Sequence, residues 1–455
     1  MPRIERDALG ELELPDEAYF GVQTARAVAN FPVSGVRVHP DLLRGYLLVK
    51  KAAALTNMEL KVLDKVKGGA IVKAADEVLI GQLSDQFPLD VFQAGAGTSL
   101  NMNLNEVLAN RALEILRKPK ADYGFISPND HVNLGQSSND TFPTAAHLAG
   151  IFAGDRLRQE IVELARSFSR KGAEFRGVRK SGRTHLMDAL PVSLGDELRA
   201  YGAALERAGG RLEQRRSDLR ELPIGGTAVG TGIGSHRKFR EVFLKKLSVL
   251  CGLEFTPARD SFEVLQSRAQ LAAFSSALKE LALELIRIAN DLRLLASGPY
   301  SGIGEIELPA VQPGSSIMPG KVNPSLAECL NMIGFQVVGN DTTVMLAAQA
   351  GQLELNVMAP VMIQNILQAL SLLVSFLPVF RTRCVDGIRP NPERCAAALE
   401  LNPSLVTLLV PRLGYLKAAE LAKEAVTRKM SIADLAVERR LMSREEADEM
   451  LGQRE

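Results

Sequence analysis

The sequence predicts a mainly α protein organised around a bundle of long helices, and three observations carry that expectation. First, Leu271, Phe274, Leu278, Leu281, Leu285, Ile288, Leu292 and Leu295 alternate in steps of three and four along one uninterrupted run, the spacing of a coiled-coil seam. Second, Leu283, Ile286 and Leu294 give the same run another apolar side, which predicts neighbours on more than one face. Third, residues 355–380 carry no charge. Pro360, Gln364, Asn365, Gln368 and Pro378 interrupt that stretch, so it reads as a core helix of a large bundle and not as a membrane span.

The other elements follow in chain order. Residues 40–120 are rich in Ala, Leu, Lys and Glu and are broken by Gly68-Gly69 and Pro88, which predicts short helices around a loop at 93–99. Further long helices are expected over about 156–175, 193–220 and 328–355. The last carries Asn340, Asp341 and Gln349 in an apolar setting, a pattern that often sets register between subunits. Strand signals are sparse, and Arg389-Pro390-Asn391-Pro392 marks a boundary to a small C-terminal helical domain.

Composition excludes several function classes. The 54 Lys and Arg residues nearly cancel the 53 Asp and Glu, so no net field recruits nucleic acid or an anionic membrane. The N-terminus, Met1-Pro2-Arg3-Ile4-Glu5-Arg6-Asp7, is charged and lacks the apolar core of a signal peptide, which predicts a cytoplasmic protein. Cys251, Cys329, Cys384 and Cys395 show neither CxxC nor zinc-ligand spacing, so no metal and no cofactor is expected.

Four segments hold the candidate chemistry. Gly314-Ser315-Ser316-Ile317-Met318-Pro319-Gly320-Lys321-Val322-Asn323-Pro324 puts two hydroxyls and one ammonium on a loop hinged by glycines, able to close over an anion. It is not a nucleotide-binding P-loop, which needs four residues between its glycines and Ser or Thr after the Lys. Ser315 can act as a base only if backbone N–H groups and a cation such as Lys321 stabilise its alkoxide. Gly95-Ala96-Gly97-Thr98-Ser99 and Gln136-Ser137-Ser138-Asn139-Asp140-Thr141 each place small polar side chains where a helix should begin, with Thr98 expected as a cap; together they form potential anion sites. Gly182-Arg183-Thr184-His185 supplies an imidazole, which Glu328, four residues after Pro324, could orient and charge. His39, His131, His147 and His236 read as structural.

These four segments, in this order, resemble the motifs of the aspartase/fumarase superfamily, and the similarity runs from Arg3 through Gly414-Tyr415. The resemblance implies a three-domain, mainly α fold whose central long helices from four subunits pack into one bundle, with active sites built from three subunits. In this chain the domains would run 1–136, 137–390, holding the loop at 314–324, and 391–455. The implied reaction is anti elimination from a small dicarboxylate to give fumarate through an enediolate-like carbanion. Carried over by position, Ser315 resembles the base. Thr98, Ser137, Ser138 and Ser316 resemble the pocket for the carboxylate that becomes the enediolate, and Lys321, Asn323 and Thr184 the pocket for the other. Asn139 and His185 fall near the leaving group, with Glu328 behind His185.

The leaving group is ammonia or water. Tyr19-Phe20-Gly21-Val22-Gln23-Thr24, Gly95-Ala96-Gly97-Thr98-Ser99 and residues 351–358 look like aspartases, and fumarases of this fold typically carry Ser where Ala96 stands. Ser138 is the fumarase-like feature, where aspartases usually have Thr, whereas Ser127-Pro128-Asn129-Asp130 lacks the His of the fumarases' accessory anion site. Met187, Tyr300 and Val410-Pro411-Arg412 depart from the family pattern of Gln, Arg and Asn-Pro-His. Two other classes remain: a non-catalytic scaffold, which the intact Ser315, Lys321, His185 and Thr98 argue against, and a Ser/Lys hydrolase, which the missing GxSxG and SxxK spacings argue against.

Overall fold

The computed structural model describes residues 2–450 and is dominated by helices, with strands only in two-stranded pairs among those residues. Among the described residues five helices exceed twenty residues: Ser138–Glu174, Leu194–Asp218, Ala269–Leu295, Ser325–Gln349 and Ala359–Arg383. All eight seam residues of Ala269–Leu295 are buried, as their spacing predicts, while Leu283 and Leu294 on its other side are exposed. The uncharged stretch forms Ala359–Arg383, with Met362, Ile363, Ile366, Leu367, Leu370, Leu373, Leu377 and Phe380 in the core. Its apolar character therefore serves packing.

Two expected helices have different ends. The helix expected from about 156 begins at Ser138, because Ser137 and Asp140 form a reciprocal cap: Ser137 Oγ accepts the Asn139 N–H (3.2 Å) and Asp140 Oδ1 accepts the Ser137 N–H (3.1 Å). The helix expected to reach 355 ends at Gln349. There the Asn356 amide donates to the carbonyls of Ala347 and Ala348 (3.0 and 2.9 Å), satisfying groups that a continuing helix would have used.

Contacts divide the chain into two compact units. The first comprises the chain up to Gln159 with Gly209–Ala282 and Gly334–Val374. Its N-terminal helices start where local chemistry says they should. His39 Nδ1 accepts from the Asp41 N–H ahead of Pro40–Glu59, and Asp64 accepts from Val66 and Lys67 ahead of Lys65–Leu79. Thr98 is not a cap. It is the first residue of the helix Thr98–Ile115, and Gly97, in the left-handed region at φ 70°, precedes it. Within that helix the buried Glu106 carboxylate accepts from the N–H groups of Gly21, Gln23 and Thr24 and from the Thr24 hydroxyl, stitching the N-terminal segment to the core. Asn340 and Asp341 are satisfied inside the chain: Asn340 donates to the Asn365 carbonyl, and Asp341 accepts from Ser275 and Lys279. Gln349 is exposed.

The second unit comprises Glu160–Ala208, Leu283–Ile333 and the chain from Ser375. It contains the antiparallel hairpin Arg179–Thr184/Met187–Ser193 and the short pair Ile306–Glu307/Arg389–Pro390. The helices after Asn391 close a core of their own around Leu405, Leu409, Leu421, Ile432 and Leu435.

Gly97 offers the sharpest backbone test. A Cβ there would lie 1.9 Å from the Phe142 ring, and the positive φ is itself costly for any other residue. Gly97→Ala should therefore lower unfolding free energy by about 2–4 kcal/mol in urea titration. A loss under about 1 kcal/mol would mean that the ring moves aside freely.

Candidate active site

Two of the four segments belong to the first unit, and the structure brings them together. Thr98 Oγ1 and Ser138 Oγ are 3.1 Å apart, so two helix N-termini, those of Thr98–Ile115 and Ser138–Glu174, present hydroxyls and free N–H groups at one place. The Asn139 amide donates to the Ala228 carbonyl at 2.7 Å, which fixes its orientation and links the site to the glycine-rich stretch 225–234.

Beneath these groups lies a buried polar layer that the sequence reading missed. Lys50 is wholly buried and spends its three donors on amide oxygens: Asn101 Oδ1 (2.7 Å), Asn133 Oδ1 (3.0 Å) and Gln136 Oε1 (3.0 Å). Tyr46 bridges Asn101 and Thr141, and Thr141 donates to the Ser137 carbonyl. Asp140 accepts from the N–H groups of Ser137, Gly225 and Thr227. Burial pulls Lys50 down to about 7, with the charge of Asp140 opposing it. Burial pushes Asp140 up to about 6 against the backbone bonds and Lys50. The available signal was phase: Lys50 follows Tyr46 by four residues and precedes Ala53 and Ala54 on a helix face that is otherwise apolar.

The other two segments belong to the second unit. Thr184 closes a strand, and His185 and Leu186 form the hairpin tip with φ of 57° and 61°. Two consecutive non-glycine residues in the left-handed region are rare, and Leu186 is a bulky one. Among the described residues the His185 ring makes no hydrogen bond; Glu328 instead lies 3.8 Å from Arg293. His185 and Glu328 are thus not paired within one chain.

The Gly314–Pro324 loop closes on itself. Gly314 N donates to the Lys321 carbonyl (2.8 Å), and Asn323 Nδ2 donates to the Gly314 carbonyl (2.6 Å). Lys321 Nζ donates to Asn323 Oδ1 at 2.7 Å. Ser315 Oγ accepts from the N–H groups of Ile317 (3.2 Å) and Met318 (2.9 Å), the arrangement that stabilises negative charge on that oxygen. Ser316 is exposed beside it, and Lys321 and Asn323 line a cavity of about 410 Å³ with Glu307, Arg389 and Asn391. A larger cleft of about 910 Å³ in the first unit is lined by His236, Arg240, Lys245 and Phe255 and holds none of the candidate residues. Of the departures, Met187 and Tyr300 are exposed and Arg412 pairs with Glu446 at 3.5 Å.

Fold and motifs together define a helical lyase, and comparison with known proteins agrees. Residues 10–339 match the family model described as "Lyase", and residues 405–454 match "Fumarase C C-terminus". The chain belongs to the aspartase/fumarase superfamily of lyases. It is 46% identical to an aspartate ammonia-lyase of a Bacillus species over 99% of this chain and 96% of that one. It is 45% identical to a class II fumarate hydratase of Thermus thermophilus over 99% of this chain and 97% of that one. Among solved structures, a fumarate lyase of Brucella melitensis superposes with a TM-score of 0.97 at 46% identity, covering 99% of this chain and 98% of that one. The class II fumarase of Schistosoma mansoni superposes at 0.95 with 37% identity, covering 99% and 98%.

The buried lysine gives this site a pH signature. Between pH 7 and the ordinary lysine range the unfolded chain holds a proton that folded Lys50 has released, so this residue makes stability rise with pH. The unfolding free energy of the unsubstituted protein minus that of Lys50→Met should grow by up to about 1.4 kcal/mol per pH unit from pH 7 to 9, measured in urea. Parallel curves for the two proteins would contradict this protonation behaviour.

Proposed function

We propose that this chain is an aspartate ammonia-lyase, converting L-aspartate reversibly to fumarate and ammonia. The observation that carries the reading is Ser315, whose Oγ already accepts two backbone N–H bonds in a loop that also bears Lys321. In this reading Ser315, as alkoxide, takes the Cβ proton. The adjacent carboxylate becomes an enediolate held by Thr98, Ser137, Ser138 and Ser316, and the amine then leaves from Cα. Lys321, Asn323 and Thr184 hold the second carboxylate, which is charged throughout. Asn139 and His185 face the amine, and Glu328 of another subunit charges His185.

A Cβ proton next to a carboxylate is very weakly acidic, so donors that tighten as the second negative charge grows are the main resource. Water as the leaving group, the fumarate hydratase reaction, is the second reading, favoured by Ser138. Ala96 supports ammonia, because it leaves no hydroxyl at a position where fumarases usually carry one. A missing partner in a closed site can discriminate by several kcal/mol. L-aspartate should therefore yield fumarate with matching ammonia, while L-malate at equal concentration yields little. Faster fumarate formation from malate would make the protein a fumarate hydratase.

We further propose a homotetramer with each site shared among three subunits. Exposed Leu283, Leu294, Met332, Phe335, Met345 and Leu346 on the long helices support it, since apolar rows on helices of this length call for partners. His185, whose ring makes no hydrogen bond among the described residues, and Glu328, which does not meet it within the chain, support it too. The four cysteines are free thiols, which supports a reducing, cytoplasmic setting. Thr98→Ala and Ser315→Ala should each lose activity by roughly 10²-fold or more. Co-refolded, they should regain a measurable fraction, because some sites in mixed tetramers receive neither lesion. No recovery on mixing, or a monomer by light scattering, would contradict shared sites.

A further inference from the structure

We propose that Glu305, which no motif singles out, is a positioning residue for the Thr184–His185 hairpin tip, acting through Arg183 and Lys180. The inference deepens the lyase reading and rests on it for the role of that tip. Glu305 is 1% exposed and takes two cations: Arg183 through a fork (Nη2–Oε1 2.6 Å, Nη1–Oε2 3.1 Å) and Lys180 at 2.6 Å. Lys180, itself buried, also reaches Glu197 at 2.8 Å, so the cluster balances two cations with two carboxylates.

The Glu305 main chain is fixed independently of its side chain. Its N–H donates to the Leu295 carbonyl (3.0 Å), and its carbonyl accepts the Asn391 N–H (2.8 Å). The carboxylate is therefore a rigid post and not a floating partner. Buried Asn402 ties the two strands of the hairpin together, donating to Ser181 Oγ (3.0 Å) on one and to the Ala189 carbonyl (2.6 Å) on the other. Gly182 packs so closely on the opposite strand that a Cβ would sit 2.6 Å from the Leu190 carbonyl.

The tip needs such a base. His185 and Leu186 both hold positive φ, a conformation that costs of order 1 kcal/mol or more per non-glycine residue and persists only where surroundings impose it. Both are exposed, so packing at the tip itself does not impose it. The constraint comes from the clamped strands, and Arg183, next to Thr184, is the residue through which it arrives.

The test uses hydrogen–deuterium exchange and steady-state kinetics on the full chain. Glu305→Gln keeps the shape but turns a two-fold acceptor into a half-donor. Arg183→Lys keeps the charge and removes the fork, and serves if the first variant does not fold. Exchange in residues 182–188 should speed by about tenfold or more while the Thr98–Ile115 helix stays unchanged. Fumarate formation should fall by about tenfold or more in kcat, because a displaced tip costs orientation. Unchanged exchange at the hairpin, or faster exchange with kcat intact, would overturn the positioning role. If the unsubstituted protein forms fumarate from neither L-aspartate nor L-malate, the lyase reading fails, while the exchange data still decide whether Glu305 holds the tip.

Discussion

A carboxylate withdrawn from water must be given back several strong hydrogen bonds, and this fold meets that demand by making distant loops converge on its buried acids. Glu106 gathers the chain at Gly21–Thr24, Asp140 gathers Ser137, Gly225 and Thr227, and Glu305 gathers the hairpin at Lys180 and Arg183. Glu106 and Asp140 stand on helices and Glu305 just ahead of the strand Ile306–Glu307, while their donors come from the start of the helix Val22–Asn30, the turns at Ser137 and Gly225–Thr227, and the strand Arg179–Thr184. Helix packing supplies the rigid part, and the acids convert that rigidity into loop position. Removing such an acid does more than delete a contact, since it leaves its donors unpaired.

The acids differ in charge balance, and the difference follows from their partners. Glu305 faces two full cations; burial pushes its carboxyl up, but the Arg183 and Lys180 bonds prevail and hold it below the usual range. Glu106 has backbone N–H groups and one hydroxyl for company, and burial keeps it raised. Asp140 is likewise raised, with Lys50 near enough to be felt but bonded elsewhere. When it is protonated, below about pH 7, Lys50 places a positive charge beneath the Ser137–Asn139 turn, where the proposed substrate puts a carboxylate.

Much of this was legible in the chain. The seam of Ala269–Leu295 could be read because every third or fourth residue is large and apolar, and a helix translates that directly into one buried face. The candidate site segments stood out because glycine and small hydroxyl residues cluster in them, and the structure brings two of them together at Thr98 and Ser138. Helix ends were less legible: the start at Ser138 depends on a reciprocal cap with Asp140, and the stop at Gln349 on Asn356, seven residues downstream. Lys50 gave only the signal of its phase on an apolar helix face, and Glu305 gave none. A lone charged residue in a sequence looks solvated, and the three-dimensional convergence of donors or amide oxygens is what reveals its partners.

The candidate site contains many neutral donors and few charges, and that ratio suits the chemistry proposed for it. A fixed cation attracts a substrate carboxylate before and during reaction almost equally, so it lowers the concentration needed without lowering the barrier. Hydroxyls and backbone N–H groups, by contrast, form modest bonds to a carboxylate and stronger ones to an enediolate whose oxygens carry added charge. Thr98, Ser137, Ser138 and Ser316 are of that kind in the proposed reaction, whereas the N–H groups aimed at Ser315 Oγ stabilise the base before it takes the proton. Lys321 is the ammonium among the candidate residues, and its loop-closing bond to Asn323 leaves two further donors, which the proposal assigns to the carboxylate that does not change charge. In the proposed reaction the division of labour between one ammonium for holding and several neutral donors for catalysis follows from which substrate oxygens gain charge as the proton leaves.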